Sequence, residues 1–441
     1  MPSDADTAAG PPGRTTHGGW ALARVRWRIF GFLFGFGLLA YVQQKSLTVA
    51  AERMMPELHL SQLEIGWLEQ AFVVGYALFQ LPAGVFGQRF GARFSFALFG
   101  LVAFSAVIAT PLAPYWLTGT ALFVVLLAAQ GLLGISQAGI FPVSAGVFES
   151  WFPASQWSLV QGLQTMGLNL GATITPPLIV VLTARVGWQQ ALAWSSLPAL
   201  ALIALWIWHG RNTPREHPGV SLHELRELDD QAGSPPDADI SVRRIVRLLS
   251  DRNTMTLALA YFAMNYTFYL LSNWCFLYLI QERRFSALEG GWLATAPPLA
   301  AAVGAGVGGV ITSRLCRRHG VLWGFRAVPL LALPAAAVLL LMAVDATNPH
   351  WAVVLLAACF GAVELTEGAF WATAMTVGRG DTMAVGGLMN TGGNLGGIVG
   401  IPIVAYLSGE HAWHAAFLIG AVCAVASAAA WLAIDARKVS G

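Results

Sequence analysis

Two carboxylates three residues apart, Glu364 and Glu367, stand in an otherwise apolar run, with Trp371 four residues further on. At helical spacing the three share one face. Two acids that close together in a low-dielectric setting hold one proton between them more readily than two charges, so the pair could take up and release a proton. The simpler alternative is that one of them only hydrogen-bonds a neighbouring helix. Tyr41-Val-Gln-Gln-Lys45 puts two amides, Gln43 and Gln44, and an ammonium into a second apolar run. Lys45 could attract an anion, or it could lie near a helix end and extend its head to water. Glu69, in a third run, is another candidate proton carrier, or a partner for Lys45 if their faces meet. Gln130 and Gln137 are seven residues apart and fall on one face of a fourth. Asn265, Tyr266, Tyr269 and Asn273, with Asn390 and Asn394, add neutral donors and acceptors. Asn169 and Asn394 sit beside glycines, where tying helices together is the plainer use.

No enzyme constellation accompanies these groups. There is no HExxH and no phosphate loop, and Gly134-Ile-Ser-Gln-Ala138 lacks the second glycine of a nucleophile elbow. Cys275, Cys316, Cys359 and Cys423 are scattered without a CxxC pair, so neither a disulfide framework nor a zinc site is expected. No cofactor is expected, and no nucleic acid.

The elements that must position these residues follow from composition. Apolar residues make up 56% of the 441 and charged residues only 11%, against about 25% charged in a soluble globular chain. The apolar residues cluster in runs of about 20, long enough to cross a hydrocarbon core as helices. The chain also repeats itself at an offset of 225 residues. Gly84-Val-Phe-Gly-Gln-Arg-Phe-Gly-Ala-Arg93 falls on Gly309-Val-Ile-Thr-Ser-Arg-Leu-Cys-Arg-Arg318, Gly66-Trp67 on Gly291-Trp292, and Trp188 on Trp413. Gly162-Leu163 falls on Gly387-Leu388, and Asn169-Leu-Gly171 on Asn394-Leu-Gly396. A constant offset across so many anchors reads as a duplication.

The expected fold is therefore an all-α membrane protein, twelve transmembrane helices in two six-helix bundles related by the internal repeat. The bundles are expected at 29–209 and 256–434, with a tail at 1–28, a charged and proline-rich linker at 210–255 and a short tail at 435–441. The first bundle reads as spans near 29–50, 63–86, 92–112, 118–142, 157–183 and 189–209; the second as 256–280, 288–312, 324–345, 351–377, 384–408 and 413–434. Within the linker, Leu222-His-Glu-Leu-Arg-Glu-Leu228 reads as a short amphipathic surface helix. The first tail lacks an apolar core with a small-residue cleavage site, so a cytoplasmic tail is expected and not a signal peptide. Lysine and arginine gather on one side of this topology: Arg14, Arg24, Arg26, Arg28, Arg89, Arg93, the linker arginines, Arg314, Arg317, Arg318, Arg326, Arg379, Arg437 and Lys438. Only Arg53, Arg185, Arg283 and Arg284 fall on the other. By the positive-inside rule both termini are cytoplasmic in the cell membrane.

The double turn motif, Gly75-Tyr76-Ala-Leu-Phe-Gln-Leu-Pro82, Trp151-Phe-Pro153, Trp274 with Tyr278-Leu279, and Asn390-Thr-Gly-Gly-Asn-Leu-Gly-Gly397 carry a resemblance. Over about residues 24–436 the chain resembles major facilitator superfamily transporters, and within them the anion:cation symporter branch of sugar-acid, hexuronate and vesicular organic-anion carriers. The resemblance implies a monomeric carrier in a lipid bilayer, moving a small organic solute, most simply an organic anion, by alternating access and with protons as the coupling ion. It implies a substrate cavity lined by Tyr76, Tyr269, Trp371 and Asn390, with Gln43, Gln44, Gln130 and Gln137 at positions where the family carries functional charges and Lys45, one residue on, the nearest cation. It also implies a gate built from Gly84, Gln88, Arg89, Arg93, Gly309, Ser313, Arg314 and Arg318. The chain departs from the pattern where charge matters most. The family's usual motif aspartate is Gln88 in one copy and Ser313 in the other, so a lock of neutral hydrogen bonds is expected. Its Asp-Arg pair aligns with Gln43-Gln44, and its arginine and glutamate of the fourth span with Gln130 and Gln137. Coupling must then fall to Glu364/Glu367 or Glu69, or be absent. An uncoupled facilitator of a neutral solute, and a transporter-like sensor, stay open as alternatives, and the four motif arginines could equally be topology markers alone.

Overall fold

The computed structural model describes residues 25–229, 241–286, 289, 293 and 295–438. Ten helices in it are long and apolar enough to cross a membrane. One of these, Ala296–Asp345, is two spans joined end to end: at Gly320 the backbone turns through φ 78°, ψ 169°, a conformation glycine reaches without steric cost. The helix Arg252–Gln281 completes the twelve; its asparagines and tyrosines dilute its apolar character. In order the spans are Val25–Leu58, Gln62–Phe90, Ala92–Leu112, the pair Gly119–Gln137 and Ile140–Trp151, then Trp157–Val186 and Trp188–His209. The second bundle follows as Arg252–Gln281, 296–319, 321–345, the pair Pro349–Glu364 and Glu367–Val377, then Thr382–Gly409 and Trp413–Ala430.

Several spans run past their expected limits. The first continues to Leu58 and the fourth to Trp151, because the polar residues after 50 and after 142 stay helical beyond the apolar stretch that marked them. The twelfth helix stops earlier, at Ala430. The expected start of the eighth span, with Gly291-Trp292, lies outside the described residues, as do the tail to Arg24 and residues 439–441. In the linker the expected helix forms as Leu222–Asp229, and a second one, Val242–Ser250, was not foreseen. Arg26, read as a topology marker, is buried and pairs with Glu227 of the first linker helix at 3.3 Å.

The fourth and tenth spans are interrupted at nearly equivalent places in the repeat. In the tenth, Thr366 N bonds Val363 O at 3.1 Å and Ala369 N bonds Thr366 O at 3.0 Å, a local tightening to i,i+3 bonding that re-aims the residues on either side. The two bundles meet along repeat-related seams, the second span on the eleventh and the fifth on the eighth. Glycine makes both seams possible. A Cβ on Gly309 would lie 3.2 Å from the Cα atoms of Leu159 and Gly162, and one on Gly162 would lie 2.9 Å from Gly309 Cα.

Candidate functional site

A cavity of about 330 Å³ lies between the bundles. Its mouth, at the end opposite the arginine turns, carries the exposed side chains of Thr48, Glu69, Ser272 and Asn273. Tyr41, Gln44, Lys45, Tyr76, Gln130 and Tyr269 line its wall. Lys45 is the only lysine, arginine or histidine among the described lining residues, and Glu69 the only acid. The two make no direct ion pair, although the Glu69 carboxylate is near enough to act on the Lys45 ammonium through space. Glu69 Oε1 accepts the Thr48 hydroxyl at 2.8 Å, one face of the first span bonding to the second, and the ammonium is left facing the cavity.

Below this chamber, and sharing Tyr41, Tyr76, Phe141 and Tyr269 with it, is a deeper pocket of about 60 Å³ that adds Glu364, Glu367, Tyr261, Trp371 and Asn390. The two acids do face one site, although the break in the tenth span lies between them. Glu367 accepts the Tyr261 hydroxyl at 3.0 Å, and Glu364 accepts Asn169 Nδ2 at 3.0 Å. Asn169 belongs to the other bundle, so it is more than packing glue: it brings a donor to a buried carboxylate that would otherwise be costly. Its repeat partner Asn394 accepts the Tyr269 hydroxyl at 2.8 Å and donates to Asn390 O at 2.8 Å.

The floor is held by contacts that cross between bundles. Asn390 Nδ2 donates to Gln80 Oε1 at 2.8 Å, and the Trp371 ring stacks on Phe141 at 5.3 Å between centroids. Sequence reasoning missed Gln80, Tyr261 and Phe141. Signals for two of them were present: Gln80 is one turn after Tyr76, and Tyr261 extends the four-residue stripe Asn265, Tyr269, Asn273 by one turn.

Of the glutamines aligned with family charges, only Gln44 and Gln130 are presented to the cavity alone. Gln43 points into its own bundle, donating to Ser196 Oγ at 3.4 Å and accepting from Gln137 Nε2 at 3.4 Å. Gln137 also donates to Ala40 O at 3.1 Å. These two amides satisfy each other and fasten the first span to the fourth and sixth, because Gln43 lies on the face of its helix opposite the cavity wall. Gln43 is thus displaced from the substrate position the alignment gave it.

At the arginine-turn end the bundles are closed. Gln88 Nε2 donates to Gly380 O at 2.9 Å and to Asp381 Oδ1 at 3.2 Å, while Asp381 Oδ2 takes Arg244 Nε of the second linker helix at 2.6 Å. The contact across the seam at this turn is therefore neutral on the Gln88 side and charged on the Asp381 side. In the second copy Ser313 Oγ bonds Ser155 O and accepts Arg317 Nη1 at 3.0 Å. Arg93 does not reach across. Its guanidinium caps the carbonyl of Ile207 in the first bundle and its backbone N–H bonds Asn212 Oδ1 at 2.9 Å at the start of the linker, because the turn after Phe90 points it at the end of the sixth span. Arg314 and Arg318 are exposed, and Arg89 is exposed with its guanidinium over the neighbouring Phe90 ring. None of these four arginines makes a contact across the seam among the described residues. Gln88→Asp would put a second carboxylate against Asp381, and like charges that close repel. We expect it to weaken closure and slow uptake several-fold, and Gln88→Asp with Asp381→Asn to restore the rate, read as initial uptake in proteoliposomes.

Twelve spanning helices in two repeat-related bundles around a central cavity, open at one end and closed at the other, have the architecture of a membrane carrier. The chain matches the Major Facilitator Superfamily over residues 33–385 and belongs to that family. It is a multi-pass membrane transporter and not an enzyme. It is similar to the probable sulfoacetate transporter SauU of Cupriavidus necator, 27% identical over 388 residues and 87% of each chain. It is also similar to the hexuronate transporter of Bacillus subtilis, 25% identical over 401 residues, 89% of this chain and 91% of that one. Among solved structures it matches the transporter FucP in the outward conformation, with a TM-score of 0.70 at 15% identity over 93% of this chain and 100% of that one. The proton:xylose symporter XylE matches with a TM-score of 0.75 at 11% identity, over 94% and 98%. At these identities the structures speak for the fold alone.

Proposed function

We propose that this protein is a monomeric secondary transporter of a small organic anion across the cell membrane, working by alternating access. The arginine-turn end and both termini are cytoplasmic on this reading, and the conformer is outward-open. The observation that carries it is Lys45, the one cationic side chain among the described residues of the cavity wall, which is otherwise neutral but for Glu69. An ammonium held at the edge of a low-dielectric chamber attracts a carboxylate or sulfonate, and the relatives named for sulfoacetate and hexuronate carry anions. A chamber of about 330 Å³ is at the small end of ligand pockets, which run from about 300 to 1,000 Å³, so the substrate is small.

Counterflow into proteoliposomes over a panel of sulfonates, sugar acids, dicarboxylates and neutral sugars tests this, with an anion expected to exchange and a neutral sugar not. Lys45→Gln should raise the half-saturating concentration of that anion roughly 10- to 100-fold, since a hydrogen bond to a charged group contributes roughly 1.5–3 kcal/mol. An unchanged value for the variant removes Lys45 from the binding site. Coupling to protons is assigned to Glu364 and Glu367, with Glu69 the next candidate.

A further inference from the structure

The second linker helix, Val242–Ser250, has three differently made faces. Arg244 and the buried Leu248 point at the protein, and Arg244 Nε holds Asp381 Oδ2 at 2.6 Å. At about 100° per residue, Val242, Val246 and Leu249 fall on the opposite side, and they are exposed at 76%, 55% and 44%. Arg243 and Arg247 stand one turn apart on the flank between, both exposed and with no ion pair to any described residue. Through the single extended residue Asp251 the helix runs into the seventh span, which begins at the exposed Arg252. An apolar stripe flanked by unpaired arginines, tethered at the end of a membrane span, has the make-up of a helix that lies in a lipid headgroup layer.

We propose that this helix is a docking site for anionic phospholipid headgroups, and that its occupancy holds the arginine-turn end closed. The apolar row enters the interface, Arg243 and Arg247 bind headgroup phosphates, and the helix is thereby fixed where Arg244 reaches Asp381. Asp381 passes the restraint to the other bundle through Gln88 at 3.2 Å, and the next residue back, Gly380, donates its N–H to Glu149 Oε1 at 3.3 Å. One lipid-facing helix is in this way connected to both bundles at the seam that must part when the carrier reverses.

The inference rests on alternating access, since it needs a second conformer, but not on the identity of the substrate. Its test follows the open mouth directly. With the four cysteines changed to serine and Ser272→Cys at the cavity mouth, the full-length protein is placed in vesicles of phosphatidylcholine alone or of phosphatidylcholine with phosphatidylglycerol. Labelling by a membrane-impermeant maleimide is then timed. Phosphatidylglycerol should speed labelling at least about fivefold, the lower end of ordinary coupling between linked sites. Arg243→Gln with Arg247→Gln should abolish that dependence, and Arg244→Gln should slow labelling in both lipids and leave it insensitive to headgroup. Equal labelling of the parent in the two lipids overturns the proposal, as does a headgroup effect that survives in either variant. A parent blind to headgroup but slowed by Arg244→Gln would remove the lipid contact and leave alternating access standing.

Discussion

Replacing both Glu364 and Glu367 by glutamine is expected to abolish uphill, pH-driven uptake while leaving exchange of substrate intact. An amide cannot titrate, and Gln43, Gln88 and Gln137 occupy positions where the family resemblance leads one to expect charge. The deep pocket holds the two acids, each with one neutral partner, Asn169 and Tyr261, and no cation lines it among the described residues. Two negative charges there would lack compensation, whereas one proton held between them meets the requirement that buried charge be paired or neutralised. Glutamine keeps a carbonyl oxygen for the Asn169 amide and the Tyr261 hydroxyl, so the floor should stay assembled in the variant. One proton per monoanion supports accumulation of about tenfold per pH unit; the double variant should stop at equal concentrations on both sides. Exchange survives because it needs only the loaded, neutral carrier. A parent that cannot accumulate substrate under an imposed pH gradient is a facilitator, and a double variant that still accumulates it moves the coupling site to Glu69.

Gly84→Val should trap the carrier with its arginine-turn end open. A Cβ at this position would sit 3.3 Å from Pro142 Cβ and 3.0 Å from the Met383 carbonyl carbon, in backbone that cannot swing aside as a side chain could. The strain falls on the closed state alone, because the seam between the second and eleventh spans parts in the other. Overpacking of this kind costs roughly 1–3 kcal/mol, so the ratio of conformers should shift by roughly one to two powers of ten. Net uptake should fall accordingly, and the Ser272→Cys mouth should become slow to label. Gly309→Val, across the repeat, should act in the same direction. Normal labelling and normal uptake in Gly84→Val would mean that the seam has room the structure does not show.

Much of this was legible in the chain itself, and the parts that were not share a cause. The repeat, the twelve spans and the isolated charge of Lys45 could be read because solvent and helical period impose them on residues a few positions apart, whereas Tyr76 and Tyr269 were implied by the family resemblance. Gln80, Tyr261 and the role of Asn169 depend on which side chains from separate bundles end up opposite one another, and periodicity gives a direction within a helix but not the identity of what faces it. Gln43 shows the reverse error: adjacent to Gln44, it is turned by about 100° onto the other side of the same helix. The linker helix at 242–250 is short and arginine-rich, so no apolar run announced it, and its partner Asp381 is 137 residues from Arg244.

The closed end has one further consequence, for the history of the protein. Where the family resemblance leads one to expect an acid on the turn after the second span, this chain has an amide, and it has a carboxylate at Asp381, at the start of the eleventh. A lineage in which the acid moved from position 88 to position 381 must cross an intermediate. With both acids present the intermediate repels itself; with neither, two amides can still bond. Selection for a working gate therefore favours losing the first acid before gaining the second, and a reconstructed ancestor carrying a neutral pair at positions 88 and 381 should still transport, whereas one carrying two acids should not.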